Sequence, residues 1–221
     1  MQQLLAFGAA LVTFRLAGRL AARWRERRAP ELAAWTFALL AYALACAALA
    51  WGAAAGWDVR VFRVYYLFGG LLSAPLLGVG ALLLLHRRWA VTVGHVYTWA
   101  AVGVAIAVPV THKIEGHAIP SAQAHLDFFP ARLLALIGNS LGTLAVVSVA
   151  LLTIRRRPLG NALIVAGVAV AAIGSALAGL GAGGTAGLLA VGALLLYAGF
   201  VAPRSVAIRT KFTNSATFRS S

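Results

Sequence analysis

Residues 64–85 read VYYLFGGLLSAPLLGVGALLLL, a run without a charged side chain that is bounded by Arg63 on one side and by Arg87 and Arg88 on the other. A helix needs roughly 17 to 25 predominantly apolar residues to cross the hydrocarbon core of a bilayer. This stretch is long enough and therefore predicts a transmembrane helix. The chain has only 5 acidic residues, and each of them lies at a boundary between apolar runs.

The same pattern recurs along the whole chain. We predict an all-α integral membrane protein with seven transmembrane helices, joined by short polar connections, at residues 4–22, 31–53, 64–85, 90–111, 131–154, 159–180 and 185–203. Residues 1–203 then form one seven-helix transmembrane domain. Residues 204–221 are predicted to form a basic, polar cytoplasmic tail.

The basic residues are distributed unevenly between the two sets of connections. One set holds most of the 19 Lys and Arg residues, namely Arg19, Arg23, Arg25, Arg27, Arg28, Arg87, Arg88, Arg155, Arg156, Arg157, Arg204, Arg209, Lys211 and Arg219. The other set holds Arg60, Arg63, Lys113 and Arg132. Because basic connections remain in the cytoplasm, we expect an external N terminus and a cytoplasmic C terminus.

The net charge of +14 is explained by this orientation and by attraction to anionic lipid headgroups. No nucleic-acid partner is predicted. Arginine greatly outnumbers lysine, and Ala and Gly are abundant, which is typical of a GC-rich genome and places the protein in a bacterial inner membrane. Cys46 is the single cysteine, so an intrachain disulfide is excluded.

Parts of the sequence resemble one another. Residues 63–88 align without a gap on residues 132–157, and residues 74–85 parallel residues 186–197. These matches allow an arrangement of one leading helix plus three repeated hairpins, although Ala, Leu and Gly also match by chance in apolar helices. Duplication is therefore kept as one of two explanations.

Small residues and prolines predict how the helices pack. Gly138 and Gly142 lie four residues apart, a spacing that lets helix backbones approach closely in lipid. We expect both glycines at a contact with a neighbouring helix. Pro75 and Pro109 fall within predicted spans and each removes a backbone donor, so we expect a kink or an exposed carbonyl at each position.

The motifs of common enzymes are missing. The chain has no G-x-S-x-G, H-E-x-x-H, P-loop or C-x-x-C sequence, which argues against an enzyme without deciding the question. No Asp, Glu or Lys lies in the middle of a span, which disfavours proton-coupled pumps and transporters. The last span also lacks the lysine that a retinal protein needs.

A few polar and aromatic residues within the spans are candidates for binding a small molecule: Tyr65, Tyr66, His95, Asn139 and Ser140. An ionisable or strongly polar group inside a membrane is a functional hypothesis by default. The alternative for the histidine, the asparagine and the serine is hydrogen bonding between helices. The alternative for the tyrosines is anchoring at the membrane interface.

The connection before the fifth span concentrates ligand-type side chains, namely His112, Glu115, His117, His125 and Asp127. Imidazole and carboxylate groups suit transition metals such as Zn, Cu, Ni or Fe, so these residues are a candidate metal site. Their spacing fits no defined ligand motif. An ordinary polar connection and a pH-responsive lid are the alternatives.

A haem protein is a weaker interpretation. His86 and His95 lie near one membrane face and His112 and His125 near the other, as two bis-histidine sites would require. However, His86 belongs to a connection and the outer pair flanks a loop, so haem is disfavoured.

The sequence thus predicts a multipass membrane protein that binds or passes a small molecule or ion through its helix bundle, with the histidine-rich connection as gate or cation site. One alternative is a non-catalytic accessory or assembly subunit that contacts other membrane subunits or a second copy of itself. Another is a metal or haem redox protein.

Overall fold

The computed structural model of the protein describes residues 2–114, 116–179 and 185–202, and every regular element in those ranges is helical. The long helices are α1 (Gln2–Arg27), α2 (Pro30–Ala55), α3 (Val59–Leu84), α4 (Trp89–Ala107), α5 (Phe128–Leu152), α6 (Pro158–Gly179) and α7 (Thr185–Val201). A short helix, Ala122–His125, lies in the connection between α4 and α5. The predicted tail at residues 204–221 lies outside the described residues.

Six of these helices, α1 to α6, are long and apolar enough to cross a membrane. Helix α7 is apolar but has only 17 residues. This composition fits a multipass membrane protein and confirms the prediction of an all-α architecture.

Two of the predicted boundaries that differ from the structure have a clear local cause. Helix α3 begins at Val59 because a carboxylate oxygen of Asp58 accepts a hydrogen bond from the Val61 amide at 2.7 Å and so caps the helix. Helix α4 ends at Ala107, so the prediction that Pro109 lies within a span was wrong. Val108 has an extended backbone, which is the conformation that a following proline favours.

Helices α1, α2, α3, α5, α6 and α7 form a closed ring, in which each helix packs on the next and α7 returns to α1. Helix α4 packs outside this ring, against α3 and the first turn of α5. Large apolar side chains such as Trp99 and Ile106 on α4 are each 73% exposed. An apolar outer surface of this kind suits contact with lipid.

The two faces of the bundle differ in character. The connections at 56–58 and 108–127 lie at one end, which we call the loop face, and those at 28–29, 85–88 and 153–157 lie at the other, which we call the arginine face. Helices therefore alternate in direction along the chain, and within the ring α3 runs parallel to α5 and α7 runs parallel to α1. This places residues early in α3 and α5 at the loop face.

Glycines bring several helices into close contact. A Cβ atom built on Gly78 of α3 would lie 2.6 Å from the Cα atom of Gly142 on α5, a distance that real side chains do not adopt. A Cβ on Gly138 would collide with the Tyr97 side chain of α4. The prediction that Gly138 and Gly142 lie at close helix contacts is therefore confirmed.

Candidate functional site

A cavity of about 520 Å³ lies inside the ring of helices. Its walls come from α2, α3, α5, α6 and α7, and its cap comes from the connection that contains Pro120 and Gln123. The volume falls within the range of about 300 to 1,000 Å³ that is usual for small-molecule sites. The polar or sulfur-containing side chains around it are Tyr42, Cys46, Tyr65, Tyr66, Ser73, Gln123, Arg132, Asn139, Ser140, Thr143 and Ser175.

The wall contributed by α3 contains a widened turn. Residues Tyr66–Leu72 form a π-helical segment, in which the backbone hydrogen bonds span five residues instead of four. Pro75 follows and has no N–H to donate to the carbonyl of Leu71, four residues earlier, or of Gly70, five residues earlier. Interrupted helices of this type occur frequently at functional sites.

Neighbouring helices supply the missing donors. The Asn139 Nδ2 group of α5 donates to the Gly70 carbonyl at 2.7 Å, and the Tyr97 hydroxyl of α4 donates to the Leu71 carbonyl at 2.9 Å. Side-chain donors of α4 and α5 thus reach the two carbonyls that lie four and five residues before Pro75. With Nδ2 used in this way, the Oδ1 atom of Asn139 remains as an acceptor for a molecule in the cavity.

Aromatic side chains form the wall between α2 and α3. The Tyr42 hydroxyl donates to the Leu189 carbonyl of α7 at 2.8 Å, which fixes its position. The Tyr65 ring packs edge to face on Trp57, with 5.5 Å between centroids. The Tyr66 ring stacks on Phe62 at 6.0 Å. The Tyr65 and Tyr66 hydroxyls form no hydrogen bond with the part of the chain that the structure describes, so both can bond to a ligand.

One charged side chain, Arg132, lies among the described residues around the cavity. It is half-buried at the loop-face end of α5, and its guanidinium group lies 5.7 Å from the centre of the Phe128 ring. Arg132 makes no hydrogen bond or ion pair within the described ranges. The cavity therefore has a positive end at the loop face.

The connection that caps the cavity is held down by specific contacts. Arg63 of α3 donates to the carbonyls of Ile106 at 3.1 Å and Val108 at 2.8 Å, and also to that of Ala105. The Trp57 amide donates to the Gly116 carbonyl at 2.8 Å. These contacts attach both the end of α4 and the middle of the connection to the ring.

The structure brings together four of the five residues that we predicted to bind a small molecule. Tyr65, Tyr66, Asn139 and Ser140 all line the cavity. His95 is exposed on the outside of α4, where its Nδ1 atom lies 2.8 Å from the Val91 carbonyl oxygen. It is therefore separate from this site.

The predicted metal ligands are not gathered by the described structure. No group of three or more His, Cys, Asp or Glu side chains that could hold an ion occurs among the described residues, and Glu115 lies outside them. His112 and His117 are exposed. The His125 Nδ1 atom lies 2.9 Å from the Ser121 carbonyl oxygen. The metal site and the haem pair both stay predictions without geometric support.

Sequence reasoning missed the two arginines that organise the loop face. Arg63 and Arg132 were counted only as charges that orient the protein. A signal was present for Arg63, because it lies beside an apolar span and the nearest acid, Asp58, occupies the N-cap position of the same helix. The π-helical turn gave no clear sequence signal beyond the Gly69-Gly70 pair and Pro75.

Comparisons of the chain with protein-family models, with curated proteins and with solved structures give no match.

Proposed function

We propose that this protein crosses a bacterial inner membrane seven times and binds a small molecule in the cavity between its helices. The observation that carries the proposal is the cavity itself, because about 520 Å³ inside an otherwise close-packed bundle is unusual in a protein interior. A site of that size with a few convergent polar groups is the default binding site of a protein.

The lining supports binding of a molecule that is mostly apolar. Most of the lining surface is apolar and comes from aliphatic and aromatic side chains, among which hydroxyl groups and Asn139 are interspersed. Polar groups inside a membrane protein are expensive unless they are bonded. A ligand that forms hydrogen bonds with the hydroxyl groups of Tyr65 and Tyr66 would therefore remove the cost of leaving these groups unbonded.

The form of the cavity supports binding more directly than passage. Toward the arginine face, Leu77, Val168 and Leu196 pack with Val146 and Val149 in one apolar cluster. That cluster closes the floor of the cavity. The capping connection at the loop face would act as the gate that we predicted, and passage across the membrane would require both ends to open in turn.

Occlusion of the cavity tests the proposal. Ala135 lines it on α5, so Ala135→Phe should fill part of the space without adding a charge. We expect a small molecule to co-purify with the wild-type protein after mild extraction, and to be largely lost from this variant, as measured by native mass spectrometry. Ala100→Phe is the matched control, because Ala100 is exposed on α4.

Equal occupancy in wild type and Ala135→Phe, or no bound molecule in the wild type, would contradict the proposal. The accessory-subunit alternative would then be preferred. In that case another membrane protein, and not a small molecule, should co-purify with this chain.

Orientation is tested separately. Because the arginine face carries most of the basic residues, it should lie in the cytoplasm. A reporter that is active only in the cytoplasm should therefore be active when it is fused to the C terminus. A reporter inserted near Lys113 should instead be accessible from outside the cell. The reverse pattern would overturn the topology.

A further inference from the structure

We infer that the ligand of this cavity is a single-chain amphiphile with an anionic head group, which enters sideways from the bilayer and places its head at Arg132. This inference rests on the proposed function and specifies its substrate class. It is carried by the lateral opening of the cavity, by the position of Arg132, the one charged side chain among the described lining residues, and by the order of the lining along the membrane normal.

The opening lies between α5 and α6. These helices are held together near the arginine face, where the Asn161 Nδ2 group of α6 donates to the Ala150 carbonyl at 3.2 Å and to the Thr153 hydroxyl at 2.9 Å. Nearer the loop face, Leu136 lines the cavity and is nevertheless 59% exposed. Ser140 on the same helix and Ser175 on α6 also line the cavity and are exposed.

Side chains that belong to both the cavity and the outer surface mark a cleft. The outer surface at this depth is the lipid-facing side of two apolar helices. The cleft therefore connects the cavity to the hydrocarbon region, whereas the capping connection covers its aqueous end with Pro120 and Gln123. A molecule dissolved in the bilayer can reach the cavity without displacing that cap.

The charge of Arg132, at the loop-face end of the cavity, determines which head group can bind. Arg132 is half-buried and has no acidic partner in the described part of the chain, and no described acid lines the cavity. A guanidinium group binds carboxylate and phosphate oxygens in a bidentate, charge-assisted geometry. A cationic head would be repelled, and a neutral head would leave the arginine without a charged partner.

The depth profile matches an amphiphile. Arg132 lies in the first turn of α5 at the loop face, the level at which lipid headgroups are expected. The hydroxyl groups of Ser140 and Thr143 lie about two and three turns deeper along the same helix. Leu77 and Leu196 form the apolar floor, so a chain attached to a head at Arg132 would extend toward the membrane centre.

Photoreactive lipids test the inference in the full-length protein. The probes are a diazirine-bearing fatty acid, the alkyl phosphate of equal chain length and the corresponding fatty alcohol, each added to vesicles that contain the protein. Labelled peptides are identified by mass spectrometry. We expect both anionic probes to label the segments 133–143 and 168–176 about tenfold more than the alcohol does, since a charge-assisted bond has roughly that effect on an equilibrium.

Variants separate the head-group contact from a structural effect. Arg132→Gln should reduce labelling by the anionic probes to the level of the alcohol, and Arg132→Lys should restore much of it. Arg60→Gln is the control, because Arg60 is an exposed basic residue at the same face. Ala135→Phe should lower labelling by all three probes.

Several results would overturn the inference while leaving the proposed function intact. Equal labelling by the alcohol and the acids, unchanged by Arg132→Gln, would exclude the anionic head. Competition by inorganic phosphate as strong as that by the unlabelled fatty acid would identify a water-soluble anion instead. Labelling by the lipid probes that Ala135→Phe does not reduce would place these probes outside the cavity. The proposed function itself fails only if the co-purified molecule is insensitive to Ala135→Phe or absent.

Discussion

Replacement of Gly142 by leucine should destabilise the bundle by about 3 kcal/mol, the upper part of the range for an overpacked core site. A Cβ atom at this position would meet the backbone of Ala74 and lie 2.8 Å from the Cα atom of Pro75. Backbone atoms cannot rotate away as a side chain can, so α3 and α5 would have to separate. The measurement is the thermal unfolding midpoint in detergent together with oligomer size.

Gly103→Leu is the matched control, because a Cβ atom on Gly103 of α4 would have no atom within 4 Å. We expect its unfolding midpoint to stay close to that of the wild type. Gly138→Leu should lie between the two, since it displaces the Tyr97 side chain instead of backbone. An unchanged midpoint for Gly142→Leu would show that α3 and α5 do not approach as described.

Replacement of Arg63 by methionine should release the capping connection from the ring. The change keeps the apolar stem of the side chain and removes the guanidinium donors to Ala105, Ile106 and Val108. Hydrogen bonds from a charged group contribute about 1.5 to 3 kcal/mol each, and the effects of bonds from one group are not additive. We expect a loss of about 2 to 4 kcal/mol in local stability.

Hydrogen exchange is the appropriate measurement for this variant, because it reports opening of a segment apart from unfolding of the whole chain. Amides at 105–126 should exchange faster in Arg63→Met, while those in α1 and α2 should be unchanged. Arg60→Met is the control, since Arg60 is exposed and makes no hydrogen bond to the connection within the described part of the chain. Equal protection of residues 105–126 in both variants would contradict the anchoring role of Arg63.

The arrangement of spans could be predicted because hydrophobic length is a strong physical requirement. Helix α2 was predicted at residues 31–53 and occupies Pro30–Ala55. The start of α3 was predicted too late, because the criterion was an apolar run and the first two turns of that helix contain Arg60 and Arg63. The end of α4 was predicted too late because Pro109 was assigned to the interior of an apolar run.

The cavity could be predicted only in part. Asn139 and Ser140 were candidates because they are polar groups within the predicted span 131–154. Tyr65 and Tyr66 were candidates because they are aromatic residues near the end of another span, 64–85. These side chains converge only because of the face that each helix turns toward the centre of the bundle. That face cannot be predicted from the sequence of an apolar helix, because such a helix has no contrast between a polar and an apolar side. His95 illustrates the difficulty, since it is as polar as Asn139 but lies on the exposed side of α4.

The widened turn of α3 also determines the rotation of that helix within the bundle. The carbonyls of Gly70 and Leu71 are adjacent in sequence, yet they accept hydrogen bonds from different helices, α5 through Asn139 and α4 through Tyr97. Any rotation of α3 about its own axis would break at least one of these bonds. The π-helical segment therefore fixes the rotation of α3 about its axis. Tyr65 and Tyr66 lie about one helical turn before these carbonyls and are held in position in the cavity wall by the same two bonds.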